Sequence, residues 1–103
     1  MKKYTVIFCI GLFSTYAFAQ KNGQKVYSEV CSTCHDQGVF GAPKLGDVRE
    51  WTERVSKGQS ILDYNSIEGF AGKKGFMPPR GGDSSLTDDE VKSAVQYMIN
   101  QSW

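Results

Sequence analysis

The run Cys31-Ser32-Thr33-Cys34-His35 carries the most chemistry in this chain. Two thiols at i and i+3, followed at once by an imidazole, form the attachment signature of c-type haem. On one helical turn both cysteines project from the same side, so each can form a thioether with one haem vinyl group. The next residue then aims its imidazole at the iron. A thiol–disulfide couple between Cys31 and Cys34 is the competing chemistry. It is disfavoured because such pairs open a helix in a βαβ setting, whereas here the preceding residues read as helix. A zinc site is disfavoured too, since the candidate N/S ligands all fall within five residues.

His35 is the one histidine in the chain, which rules out a second imidazole from the same molecule. A methionine, a lysine, water or nothing remains for the opposite face of an iron. Of the methionines, Met98 falls on the apolar side of a helical segment and reads as a core filler. Met77 stands in Gly75-Phe76-Met77-Pro78-Pro79-Arg80-Gly81-Gly82. A loop methionine gains little as core, and Pro78 and Pro79 stiffen the backbone after it, lowering the entropy cost of presenting its sulfur. Met77 is the expected ligand, with packing as the alternative. His/Met ligation raises the potential of an iron, as suits an electron carrier. An open sixth position, with Met77 only packing, would instead make a haem sensor or ligand binder.

Residues 1–19 read as a secretory leader. Lys2 and Lys3 form a basic start, an apolar stretch runs from Val6 to Phe13, and Ala17-Phe18-Ala19 is a cleavage site. The stretch is too short for a membrane anchor. Cys9 falls within the leader, after Phe8 where a lipoprotein signal wants a small residue. The expected functional unit is 20–103, in the periplasm. Losing Lys2 and Lys3 from 12 basic residues, against 11 acidic ones, moves the net charge from +1 to about −1. That balance excludes the basic excess of a nucleic-acid binder. A domain this small is short of core without a disulfide, a metal or a cofactor. A covalently attached apolar cofactor would supply the missing core.

The elements that must position these groups read as helices. A segment from Asn22 to Val30 runs into the cysteine motif. Asp36 to Asp47, with Gly38, Gly41, Pro43 and Gly46, reads as a loop. A helix is expected over Val48–Ser56, with Val48, Trp51 and Val55 on one side. Another is expected over Ser60–Ile67, with Ile61, Leu62 and Tyr64 available for burial. Gly69 to Asp83 holds five glycines and two prolines and reads as an irregular loop. Thr87 with Glu90 makes a capping box, and Val91, Ala94, Val95 and Met98 follow at helical spacing. No segment alternates like a strand, so the expected fold is all-α.

Taken in order, Cys31-Ser32-Thr33-Cys34-His35, Gly41-Ala42-Pro43-Lys44-Leu45-Gly46, Met77-Pro78-Pro79-Arg80-Gly81-Gly82 and Leu86-Thr87-Asp88-Asp89-Glu90-Val91 resemble the class I c-type cytochromes, and within them bacterial cytochrome c5. The resemblance covers 20–103. It implies about four short helices wrapped around one haem c attached through Cys31 and Cys34, with Met77 as distal ligand. It implies a one-electron carrier, not an enzyme, serving respiratory partners such as a membrane cytochrome complex, a terminal oxidase or a periplasmic reductase. It also implies that the Pro43 carbonyl accepts the second ring N–H of His35, and that Gly23, Tyr27 and Tyr97 form a crossing of terminal helices. Trp51 and Arg54 are candidates to hydrogen-bond a haem propionate, or else a core indole and a solvated cation. Lys73, Lys74 and Arg80 are a candidate positive rim for acidic partners, or else solvated charges. Many relatives carry an extra cysteine pair after the Met-Pro-Pro loop. Gly82-Asp83-Ser84-Ser85 stands there instead, implying a more mobile distal loop.

Overall fold

The computed structural model describes residues 2–7, 11 and 20–103. The cleavage site Ala17-Phe18-Ala19 and Cys9 lie outside the described residues. Among the described residues no helix is long and apolar enough to cross a membrane.

The cysteine motif is itself helical. Helix α1 (Gly23–Val26) passes through a π turn (Tyr27–Cys31) into α2 (Ser32–His35). Asn22 caps its start, its side chain accepting from the Lys25 N–H at 2.9 Å. After a loop come α3 (Val48–Val55) and α4 (Gln59–Glu68), and the chain closes with α5 (Asp88–Ser102). Asp47 caps α3, accepting from the Glu50 N–H at 3.2 Å. Both bonds of the Thr87/Glu90 capping box form at the start of α5.

One correction concerns the stretch 69–83. It is not wholly irregular: Phe70–Ala71 (β1) and Phe76–Met77 (β2) pair antiparallel, with Phe70 opposite Met77 and Ala71 opposite Phe76. The Gly72 N–H closes the turn on the Gly75 carbonyl at 2.9 Å. Two-residue strands are too short to alternate, so period-2 patterning carries no trace of them. The fold remains mostly helical.

Helix α1 lies across α5 with backbone close to backbone. A Cβ built on Gly23 would fall 2.1 Å from the Ser93 carbonyl oxygen. Tyr27 flanks the crossing, its ring 5.4 Å from that of Tyr97. Two apolar clusters grow from here. Tyr27, Trp51, Val95, Met98 and Ile99 form one, and Val26, Leu86, Val91 and Ala94 the other. The expected faces hold for Trp51 and for α5. They fail for Val48, Ile61 and Tyr64, which are exposed. Periodicity gives the side a helix turns inward but not how far the core extends under its ends.

Two predictions follow from this crossing. Gly23→Ala should overpack the helix pair and cost about 1–3 kcal/mol, read as a lower denaturation midpoint; an unchanged midpoint would mean that the helices slide apart freely. The Glu90 carboxylate accepts the backbone N–H groups of Thr87 and Lys21, each at 3.0 Å. Those bonds, the Thr87 one foremost, hold its carboxyl below the ordinary glutamate value of 4.5. The stabilisation is therefore present above that value and lost as acid protonates the folded protein. Glu90→Gln should be less stable than the parent at pH 7, with the gap narrowing below pH 4.5, as followed by denaturant melts across pH.

Candidate haem site

The π turn gives the motif its orientation. The Ser32 N–H reaches back to the Tyr27 carbonyl, an i→i+5 bond that carries one residue more than an α turn. It rotates the faces of α2 relative to α1, an offset that α-helical spacing in the sequence does not contain. The Tyr27 hydroxyl donates to the Asp36 carboxylate, tying the residue after His35 back across this turn.

His35 is buried, 8 % exposed. Its Nδ1 lies 2.8 Å from the Pro43 carbonyl oxygen, as the resemblance implies. A carbonyl only accepts, so Nδ1 carries the proton and Nε2 keeps its lone pair. Burial holds the imidazole below its usual value and keeps it neutral near pH 7, outweighing the opposing Pro43 bond. The Leu45 N–H returns a bond to the His35 carbonyl at 2.9 Å. The loop is gripped from two other helices: the Trp51 indole N–H donates to the Lys44 carbonyl, and the Gly46 N–H to the Ser102 hydroxyl, each at 2.8 Å. The Trp51 donor is thus engaged by backbone and its ring lies in the core, which agrees with the core-indole alternative. Arg54 donates from one guanidinium nitrogen, Nη1, to both the Glu50 carbonyl and the Glu50 carboxylate.

Met77 sits on β2, so a strand ladder positions it as well as the prolines that follow. The two sides meet backbone to backbone. A Cβ on Gly41 would fall 1.8 Å from the Lys74 carbonyl oxygen, and one on Gly75 would fall 1.9 Å from that of Phe40. Phe40 itself is left-handed, φ 55°, a conformation that bulky residues rarely adopt.

Cys31, Cys34, His35 and Met77 line one cavity of about 370 Å³. Its walls fit a flat apolar group. Phe40, Phe70 and Phe76, 70 %, 47 % and 60 % exposed, all line it, so an occupant would cover the aromatic surface that water now touches. Nothing in the sequence marked these aromatics as walls, although phenylalanines amid loop glycines have few other uses. Ser102 and Gly75 were equally unmarked. Burial pushes the Cys31 thiol up to about 11, opposite to the shift of a reactive thiolate. Met98 belongs to the core, 3 % exposed, and reaches the cavity wall. Lys73 and Lys74 border the cavity, and Lys74 lies 3.5 Å from the Glu53 carboxylate, both exposed. Arg80 leaves the expected rim: it donates to the Leu86 carbonyl at 3.0 Å and pairs with Asp88 at 2.6 Å.

Known proteins are similar to this chain in sequence and fold. A family model described as cytochrome c oxidase, cbb3-type, subunit III matches residues 18–98. Cytochrome c-555 of Chlorobaculum tepidum is 43 % identical over 89 residues, covering 86 % of this chain and 82 % of that protein. Cytochrome c5 of Ectopseudomonas mendocina is 36 % identical, covering 76 % and 87 %. The crystal structure of an electron transfer complex of nitrite reductase with cytochrome c contains a chain that superposes with a TM-score of 0.70 at 34 % identity, covering 79 % of this chain and 94 % of that one. A mono-heme ferrocytochrome c from Shewanella putrefaciens gives 0.65 at 29 %, covering 82 % and 99 %. Members of this group carry electrons and are not enzymes, and the Cys31/Cys34 motif is the family's means of attaching one haem c. With the family model and these relatives spanning most of its length, the chain belongs to the cytochrome c family, as a small class I c-type cytochrome similar to c5.

Proposed function

We propose that this protein is a periplasmic one-electron carrier whose haem iron is held between His35 and Met77, with Cys31 and Cys34 as the thioether residues. The observation that carries the reading is the gathering of all four side chains around one apolar-walled cavity. When bound, the haem supplies a one-electron couple. The chain's own residues do the rest. His35 offers Nε2 because Pro43 holds Nδ1–H. The three phenylalanines line the cavity and would shield a bound group from water. Met77 offers a soft thioether, which favours the reduced metal and raises the potential.

The leader at 1–19 would deliver residues 20–103 to the periplasm, where reductases, terminal oxidases or a membrane cytochrome complex are the fitting partners. The neighbour solved with nitrite reductase supports a redox protein of that kind. Lys73 and Lys74, exposed beside the cavity, are the proposed docking cations.

Met77→Ala in protein matured with haem should abolish the thioether-to-iron charge-transfer band of the oxidised form, lower the potential and open the reduced form to carbon monoxide. Met98→Leu should leave all three unchanged. A parent protein that already binds carbon monoxide rapidly would instead favour the ligand-binding reading. Reversing Lys73 and Lys74 to glutamate should slow electron transfer to an acidic partner most at low ionic strength, where screening is weakest; equal rates in stopped flow at low and high salt would remove these lysines from docking.

A further inference from the structure

We propose that Ser102, near the C-terminal end of the chain, is a positioning residue for the iron's imidazole ligand. The inference rests on His35 being that ligand. The bond that orients His35 ends on the Pro43 carbonyl, so whatever fixes Pro43 fixes the ring. Three residues later the Gly46 N–H donates to the Ser102 hydroxyl at 2.8 Å, a bond spanning 56 positions of sequence. Ser102 is 1 % exposed, among the most completely buried side chains described. Its hydroxyl has no solvent partner to exchange for this one, so the bond is costly to leave unmade.

The same short loop holds its other anchors in line. Lys44 accepts from Trp51 at 2.8 Å and from the Asp47 N–H at 3.1 Å, and Leu45 donates to the His35 carbonyl at 2.9 Å. Gly46 is left-handed, φ 86°, and its Cβ position is open space, so contact with side chains does not hold it. Ser102 is what ties this residue to the helical core. Without that tie, the loop pivots about Lys44 and the Pro43 carbonyl loses its fixed distance to Nδ1. A weaker Nδ1–H bond makes the imidazole a poorer donor through Nε2, which favours reduced over oxidised iron.

Ser102→Ala in the haem-loaded protein should speed hydrogen exchange at the His35 Nδ1 proton several-fold by NMR and shift the reduction potential upward. Ser102→Thr, which keeps the hydroxyl, should return both toward the parent. Trp51→Phe, removing the neighbouring anchor at Lys44, should move both readouts in the same direction as Ser102→Ala. Val91→Ala, in the apolar cluster away from the loop, serves as a control that loses stability without moving either. If Ser102→Ala loses stability while exchange and potential match the parent, Ser102 merely packs and the inference is overturned. Failure of the underlying reading looks different: the parent itself would then lack the spectrum of imidazole-ligated iron.

Discussion

The close crossing of α1 and α5 at Gly23 is the constraint from which the rest of the molecule hangs. With no side chain between the backbones, Val26 of α1 joins α5 in one apolar cluster and Tyr27, the residue after α1, joins it in the other, so the contact fixes where α2 can point. Tyr27 shows how tightly crossing and site are joined. Its ring packs against Tyr97 and belongs to the core, while its hydroxyl holds Asp36, the residue after the imidazole. Anything that loosened the crossing would reach His35 within a few residues.

The helices do not, however, complete a core. The cavity beside them leaves Phe40, Phe70 and Phe76 largely open to water. Fully covering an exposed aromatic side chain is worth about 1.5–3 kcal/mol; these three are already partly covered, so an apolar occupant contributes only a fraction of that at each. Small domains lie near the limit of what burial alone can hold. The glycine contacts at Gly41 and Gly75 fit this logic. They let the proximal and distal loops touch across the cavity's edge, and they do so with Phe40 in a strained backbone conformation. Such strain persists where surrounding structure over-determines it.

Much of this was legible because its chemistry is local. The haem motif, the Asn22-to-His35 helical path and the Thr87/Glu90 cap each lie within a few consecutive residues. What escaped was pairing with backbone groups outside a residue's own helix. The Phe70/Met77 ladder, the Gly46–Ser102 bond and the Trp51–Lys44 bond are backbone or near-backbone contacts that no side-chain pattern announces. The π turn escaped for a different reason: the phase shift of one extra residue is not legible in helical segments as short as α1 and α2. Val48, Ile61 and Tyr64 were misjudged because single apolar residues on a helix can face water at little cost. Arg80 was misjudged because charge type says nothing about which acceptor a loop brings near.

Arg80 also bears on the missing cysteine pair. A disulfide after the Met-Pro-Pro loop would act by restricting the unfolded chain, typically by 2–4 kcal/mol, and would not depend on salt. Here Ser85 folds onto the Asp83 carboxylate, at 3.0 Å through its N–H and 2.6 Å through its hydroxyl, and Arg80 bridges the Leu86 carbonyl and the Asp88 carboxylate. These are reversible contacts, and the Arg80–Asp88 pair is partly exposed, its acidic partner 60 % so. Exposed pairs contribute at most about 1 kcal/mol and weaken with salt. The His35 side of the cavity, by contrast, is gripped by bonds from buried Trp51 and Ser102. The two sides therefore differ in stiffness. The loop bearing Met77 is the side held by contacts that salt weakens, and the loop beside His35 is the side held by bonds from buried residues.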